Sequence, residues 1–363
     1  MRDLKVGFIG AGGIARAHAY ALSSLKFYYD NVPEISLLSV ASSRTESRES
    51  FASNYGFKVA QSLTDFSLNE DIEAVFILGP NKVHFEHLLL ALKMPSVKYI
   101  YLEKPVCTSE AEEEKMRDIL NTLDSNIKIQ VGFQFLQTAA VREALPFWKS
   151  GKLGKPLHFN LKYYHGDYLQ STYREKRVTR LTPAPDGGAM ADLGCHGVSL
   201  LMAFLGEELK IVHGMQSGTF TDVPTDSDLF SSISLIDPNS KAVGNLSSSR
   251  ISSGSGDLVD LEIYAEKGVL RFNSHAPDYF EYFQEENQQW IKKTVGSNYN
   301  PITSFPSGHV PAGWLRALVH AHYIFLTGND NKAFVPDLAH GLAVQRVVRE
   351  TANHIKVFRE NNL

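Results

Sequence analysis

The chain has 363 residues, with 36 Lys+Arg against 40 Asp+Glu for a formal net charge of −4, and is 43% hydrophobic and 21% charged. That composition supplies apolar surface for two cores, excludes disorder as the main state, and lacks the basic excess that a nucleic-acid backbone demands. Two cysteines, Cys107 and Cys195, make no disulfide framework and have no metal-ligand spacing, so a reducing cytoplasm, no metal and a small-molecule substrate are expected. No run of 18 apolar residues and no cleavable leader pattern is present, so neither a membrane span nor secretion is expected.

The first third alternates short β-rich runs (near 4–10, 35–41, 57–60, 72–78, 97–102 and 127–132) with helical patterns near 13–24, 46–55, 84–93 and 109–123. Such alternation predicts a doubly wound parallel α/β sheet. Past Gly132 the pattern changes. A helical stretch, 138–149, ends at Ser150-Gly151. In the next run Leu157, Phe159, Leu161 and Tyr163 alternate with polar or amphipathic residues, the period of a half-buried strand. Further strand-like runs near 209–218, 228–236, 241–250, 258–265, 268–272 and 279–283 predict an α+β domain with a mostly antiparallel open sheet. Helices near 189–205, 312–327 and 338–358 complete the pattern. The expected domains are 1–136 and 137–363, and the Ser/Gly-rich segment 247–256 reads as a mobile hairpin.

Gly10-Ala11-Gly12-Gly13-Ile14-Ala15 follows the first strand and opens the first helix. In that position Gly10 allows a tight turn, Gly12 lets a pyrophosphate approach the backbone, and Ala15 lets helix and strand pack. The helix N-terminus, with Gly13 and Ile14, offers amide hydrogens to the anion. At the end of the second strand Ser42-Ser43-Arg44 replaces the carboxylate that would grip the ribose 2′-hydroxyl of NAD. Neutral hydroxyls and a guanidinium suit a 2′-phosphate, which favours NADP(H) over NAD(H). In the alternative reading Arg44 is a solvated helix-start residue and either coenzyme serves.

Tyr99-Ile100-Tyr101-Leu102 reads as a buried strand ending at Glu103-Lys104-Pro105. A lysine there is ordinarily solvated, but ligands of doubly wound sheets sit above the strands' carboxyl ends. In the second domain Asp192 and His196, four apart on an apparent helix, share one face, with Ser199 on the next turn.

Together the Gly10–Ala15 turn, Pro80-Asn81 with His84, Glu103-Lys104-Pro105 and the run Gly187-Gly188-Ala189-Met190-Ala191-Asp192-Leu193-Gly194-Cys195-His196 resemble the Gfo/Idh/MocA family of NAD(P)-dependent sugar and polyol oxidoreductases. The resemblance implies a Rossmann domain followed by a substrate and oligomerisation domain, with Pro80, Asn81, His84 and Glu103 on the cofactor side. It places Lys104 between nicotinamide and substrate, where an ammonium stabilises charge persisting on the carbinol oxygen, and it implies a cis Lys104–Pro105 bond. From the D-x-x-x-H pair it implies His196 as general base in oxidation and general acid in reduction, with Asp192 orienting the imidazole or holding a substrate hydroxyl. Ser199 and Gln134-Phe135-Leu136 depart from the family pattern at positions expected to face the substrate.

Aromatic hydroxyls suit a sugar ring, so Tyr163, Tyr164, His165, Tyr168, Tyr173 and Arg174 are candidate substrate contacts, Tyr164 and Arg174 foremost, although tyrosines at strand ends also serve as core residues. Two rival readings stand beside the dehydrogenase: a glycosidase that uses transient oxidation by a retained nicotinamide, and a catalytically silent NAD(P)-binding regulator. A homo-dimer or tetramer through the open sheet is expected from the resemblance.

Overall fold

The computed structural model describes residues 3–29, 32–183, 187–218, 220–224, 226–294, 312–329 and 334–362. The elements of the first third are β1 (Asp3–Ile9), α1 (Gly13–Tyr28), β2 (Glu34–Ala41), α2 (Thr45–Tyr55), β3 (Val59–Gln61), α3 (Leu63–Ser67), β4 (Ala74–Ile77), α4 (His84–Leu92), β5 (Tyr99–Leu102), α5 (Glu110–Thr122) and β6 (Lys128–Val131). They are followed by α6 (Ala139–Lys149), β7 (Pro156–Tyr164), α7 (Ser171–Lys176), α8 (Cys195–Leu205), β8 (Lys210–Ser217), β9 (Phe230–Ile236), β10 (Val243–Ser249), β11 (Leu258–Ala265), β12 (Gly268–Asn273), β13 (Tyr279–Gln284), β14 (Gln289–Thr294), α9 (Ala312–Thr327) and α10 (Leu338–Asn362).

Strands β1 to β6 form one parallel sheet in the order β3-β2-β1-β4-β5-β6. The order reverses between β1 and β4, which opens a crevice at the carboxyl edge. Ala74, Val75, Phe76 and Ile77 are all fully buried, as a strand covered on both faces requires. Local signals bound the helices: the Ser62 and Ser109 side chains start α3 and α5 by accepting the amides of Asp65 and Glu112, and Gly56 at φ 76° ends α2 in the left-handed region.

The second sheet runs β14-β13-β12-β11-β7-β10-β9-β8, antiparallel except for the β7–β10 pair. Burial alternates residue by residue along β11, the mark of one covered face. Helix α8 lies on that face. A Cβ at Gly197 would fall 2.7 Å from Leu161 Cδ2 and 2.8 Å from Leu246 Cδ1, so the glycine sets the closeness of helix to sheet.

Several sequence expectations change. Serines 247–249 belong to strand β10, flanked by β7 and β9, and β11 pairs with β7 instead of β10, so 247–256 is no hairpin. The serines are small because the helix packs over them: Ser248 and Ser249 are buried, and a Cβ at Gly194 would lie 3.3 Å from Ser248 Oγ. The single helix expected over 189–205 is a π-helical turn, Met190–Gly194, running into α8. Strand β14 was not expected. It is an edge strand with no buried residue, so it carries no burial alternation to read.

The chain clusters into two compact units, Met1–Gln134 with Leu315–Leu342, and Phe135–Trp314 with Ala343–Leu363. One cut after residue 136 would assign Leu315–Leu342 to the second unit, whereas most of α9 and the start of α10 belong to the first. The reason is a mixed polar and aromatic contact. Gln130 Nε2 donates to the Ala321 carbonyl over 3.3 Å, the Val131 amide donates to the Pro336 carbonyl over 2.8 Å, and the Phe325 ring meets Phe76, Tyr99 and Tyr101 edge-on.

Candidate active site

In the first unit the strand ends are in register at the carboxyl edge. Ile9 pairs with Ile77 and Ile77 with Leu102, so Gly10, Leu78-Gly79 and Glu103-Lys104 line one edge side by side. Gly10 has φ +124°, and a Cβ there would fall 2.5 Å from the Leu78 carbonyl group. Only glycine fits. Gly12 and Gly13 are exposed, and a Cβ on either would meet nothing within 4 Å. The first turn of α1 holds no acidic residue, Ile14 is half-buried and Ala15 fully buried. An open glycine turn at a helix N-terminus, free of repelling charge, is the shape and polarity that a dinucleotide pyrophosphate needs, so these residues fit the coenzyme.

At the end of β2, Ser43 and Arg44 are exposed and Ser42 is half-buried. Ser42 Oγ donates to the Arg44 carbonyl over 3.0 Å, and Arg48 Nη1 donates to the Ser42 carbonyl over 3.0 Å. Arg48 was missed from sequence. Its signal was the four-residue spacing from Arg44, which puts a second guanidinium one turn on.

His84 does not face outward. It is buried, with Nδ1 2.6 Å from the Pro105 carbonyl oxygen and Nε2 2.9 Å from the Gly79 carbonyl oxygen. It therefore ties two strand ends of the ligand edge together, and burial lowers its pKa. Pro80 precedes the short 3-10 turn Asn81–Val83 that leads into α4. Glu103 is buried and accepts from His18 Nε2 at 3.0 Å, while Lys104 beside it is half-buried and the Lys104–Pro105 peptide is cis.

In the second unit His196 is buried in the first turn of α8, its ring met edge-on by Phe135 at 5.4 Å, with Tyr163 at 6.0 Å. Burial first, and the carboxylate of Asp257 next, push the Tyr163 hydroxyl well above its usual range. Asp192 lies in the π turn, where i→i+5 geometry replaces the α-helical spacing assumed for a shared face. Its Oδ2 accepts from Arg250 Nη2 at 2.7 Å and faces Arg180 Nη1 at 3.5 Å. Arg250 is fully buried, donates to the Arg180 carbonyl, and has its guanidinium 4.6 Å over the Tyr168 ring. The start of the π turn is capped by the buried Asp228, whose Oδ2 accepts the Met190 amide over 2.8 Å. Arg250 and Asp228 were both missed, since neither lies near the motif in sequence.

Arg174, expected at the substrate, has a structural place instead. It is buried, its Nε and Nη2 donate to Asp222 Oδ2 over 3.0 and 2.7 Å, and its Nη1 donates to the Tyr168 and Leu169 carbonyls. Tyr168 belongs to a small core with Leu181, Val223 and Leu229, against which Tyr173 packs. Ser199, Gln134, Phe135 and Leu136 are likewise buried. Tyr164 is half-buried and hydrogen-bonded to Ser247 Oγ at 2.7 Å. Among the described residues no group of three metal-type ligands occurs, and no helix is long and apolar enough to cross a membrane.

A unit with an open dinucleotide turn, followed by a unit built on an open sheet, is the architecture of a two-unit nucleotide-dependent oxidoreductase. The chain belongs to the Gfo/Idh/MocA oxidoreductase family: the family's NAD-binding Rossmann-fold domain matches residues 4–133 and its C-terminal domain residues 141–271. Among curated relatives, a glucose-6-phosphate 3-dehydrogenase of Bacillus subtilis is 29% identical over 62% of this chain and 60% of its own length. The match thus leaves two fifths of that relative uncovered. A levoglucosan dehydrogenase of Pseudarthrobacter phenanthrenivorans is 25% identical over 77% of this chain and 75% of its own. Among solved structures, a levoglucosan dehydrogenase in complex with NADH shares the fold with a TM-score of 0.78 at 21% identity, covering 98% of both chains.

Proposed function

We propose that this chain is a nicotinamide-dependent dehydrogenase or reductase acting on the CH–OH group of a sugar, polyol or related alicyclic alcohol. The observation that carries the reading is the register of Ile9, Ile77 and Leu102, which sets the lysine turn on the same sheet edge as the open glycine turn. When bound, the nicotinamide supplies the two-electron step, transferring hydride to or from the substrate carbon. Lys104 stabilises the negative charge that develops on the substrate oxygen. His196 takes the hydroxyl proton in oxidation and returns it in reduction. Packing by Phe135 and Tyr163 restricts the imidazole to few orientations, which serves proton transfer in both directions alike. Asp192, held by Arg250, is the acceptor for a substrate hydroxyl.

NADP(H) is favoured over NAD(H), because Ser42, Ser43 and Arg44 leave the second strand end without a carboxylate and Arg48 adds a neighbouring guanidinium. Replacing Arg44 by Ala is expected to raise the KM for NADP about tenfold with little change for NAD, as loss of a charge-assisted phosphate contact implies. The outward face of the second sheet exposes Val212, Val243 and Met215 and supports a homo-dimer or tetramer, which a single-chain mass in sedimentation would contradict. The two cysteines, both buried and in no disulfide, fit a reducing cytoplasm.

The deciding experiment is a spectrophotometric screen of aldoses, inositols, anhydrosugars and keto-sugars with both coenzymes. Stoichiometric coenzyme reduction or oxidation with one of these classes is expected. Glycosyl release without net coenzyme change, or coenzyme binding with no turnover across the panel, would overturn the reading.

A further inference from the structure

Behind the lysine turn lies a buried set of ionisable groups that the proposed chemistry does not use. His18, on the inner face of α1, and His322, from α9, are both buried, and their rings stack with centroids 5.0 Å apart. His18 Nδ1 lies 2.9 Å from His322 Nε2, and His18 Nε2 lies 3.0 Å from Glu103 Oε1. Phe76 and Tyr101 meet these rings edge-on, so the pair sits in an aromatic box where apolar side chains would be the cheaper occupants. Glu103 itself is boxed in: a Cβ at Gly132 would fall 2.6 Å from its Oε1.

Hydrogen-bond inventory fixes the direction of the chain. A carboxylate only accepts, so His18 donates from Nε2. An orphaned buried lone pair costs less than an orphaned N–H, so His322 donates from Nε2 to the lone pair at His18 Nδ1 and keeps a bare Nδ1 of its own. That atom is buried without a hydrogen-bond partner, as the assignment requires of the terminal group. Burial, reinforced by neighbouring His18, lowers the pKa of His322 well below the ordinary value, consistent with a neutral ring.

We infer that Glu103, His18 and His322 form a one-way hydrogen-bond relay that ties the helix carrying the glycine turn to the strand end carrying Lys104, so that both histidines are positioning residues for that lysine. The inference rests on the proposed role of Lys104. It explains why a helix 304 residues away in sequence contributes an imidazole, and not a phenyl ring, to this core.

The test uses the full-length chain. Nitrogen-15 NMR of labelled histidines, assigned by the signals lost in His18→Gln and His322→Gln, is expected to show both rings neutral and protonated at Nε2. A proton on Nδ1 of either ring overturns the relay. Kinetically, His322→Leu is expected to lower kcat about tenfold or more with coenzyme Kd changed less than about twofold, as a small displacement of a reacting group implies. His322→Gln, whose amide N–H can stand where the imidazole Nε2–H stood, is expected to restore kcat to within about threefold of wild type. Equal losses in both variants, or none in either, overturn the positioning role. If the substrate screen finds no turnover, the reading of the reaction fails while the tautomer measurement still decides the relay.

Discussion

Replacing Arg250 by Met tests how the second unit holds its functional turn. The guanidinium is fully buried, Nη2 donates to Asp192 over 2.7 Å, Nη1 serves the Arg180 carbonyl, and the cation lies over Tyr168. Met keeps most of the stem volume but removes every donor. Removing one partner of a buried pair typically costs about 3–5 kcal/mol, because the remaining charge is left uncompensated. The Asp192 side chain is 22% exposed and has Arg180 at 3.5 Å, which places the expected loss at the lower end, about 3 kcal/mol. That is more than about a 100-fold change in the folding equilibrium.

The chain offers a local probe for this measurement. Its three tryptophans, Trp148, Trp290 and Trp314, all belong to the second unit, so urea unfolding followed by tryptophan fluorescence reports that unit alone. Removing the stranded charge as well, in R250M/D192N, is expected to recover about half the loss, since Asn keeps the shape of Asp192 without its charge. A loss under about 1 kcal/mol for R250M, or a double variant no more stable than the single one, would refute the pairing argument.

His196→Ala is expected to lower kcat about 100-fold or more while coenzyme Kd, from titration of reduced-coenzyme fluorescence, stays within about twofold; unchanged turnover removes His196 from the chemistry. Gly10→Ala forces a Cβ to 2.5 Å from the Leu78 carbonyl group at a φ of +124°, and coenzyme Kd is expected to rise more than about tenfold by the same titration. Burial, then proximity to His84, lowers His87 from 6.5 to about 4. Below pH 6.5 the unfolded chain takes this proton first, so the contribution of His87 to stability is full above 6.5 and is lost as the pH drops towards 4, by about 2 kcal/mol, less than the full shift because the ring is partly exposed to screening solvent. Far-UV circular dichroism of urea unfolding at stepped pH measures the slope, which His87→Gln is expected to flatten; an unaltered slope in that variant clears His87 of the effect.

What the sequence discloses here is what is local. β4 and β5 announce themselves as apolar runs bounded by turns, and the glycine turn is legible because Gly10, Gly12 and Ala15 have distinct tasks within six residues. The second unit's sheet is legible in β7, where Phe159, Leu161 and Tyr163 are buried on one face. Long-range choices are hidden. Nothing in Leu315–Leu342 says that His322 and Phe325 join the first core, because the partners, His18 and Phe76, lie more than 200 positions away. Tyr168 and Arg174 had the composition of a sugar site, yet burial and saturated hydrogen bonding give Arg174 a scaffold role. The π turn is disguised for a simpler reason: Ala189 to Leu205 is apolar almost throughout, and α and π windings bury such a run equally.

Both units meet a common physical demand. A charged functional group near a buried strand end or helix turn needs fixed geometry, and hydrophobic packing alone fixes a long polar side chain poorly, because its tip must remain wet or paired. Behind Lys104 the answer is a carboxylate backed by imidazoles. Before His196 it is Asp192 held by Arg250, with Asp228 capping the turn. In each unit a residue far along the chain supports the motif: Arg250 donates directly to Asp192 over 2.7 Å, and His322 reaches Glu103 through His18, over 2.9 and 3.0 Å. Such pairs are not additive, so the motif residue and its remote partner should lose function as one unit. For Glu103 and His322 the consequence is concrete: the kcat of E103Q/H322L should equal that of the worse single variant, and a drop equal to the product of the two single losses would show that they act separately.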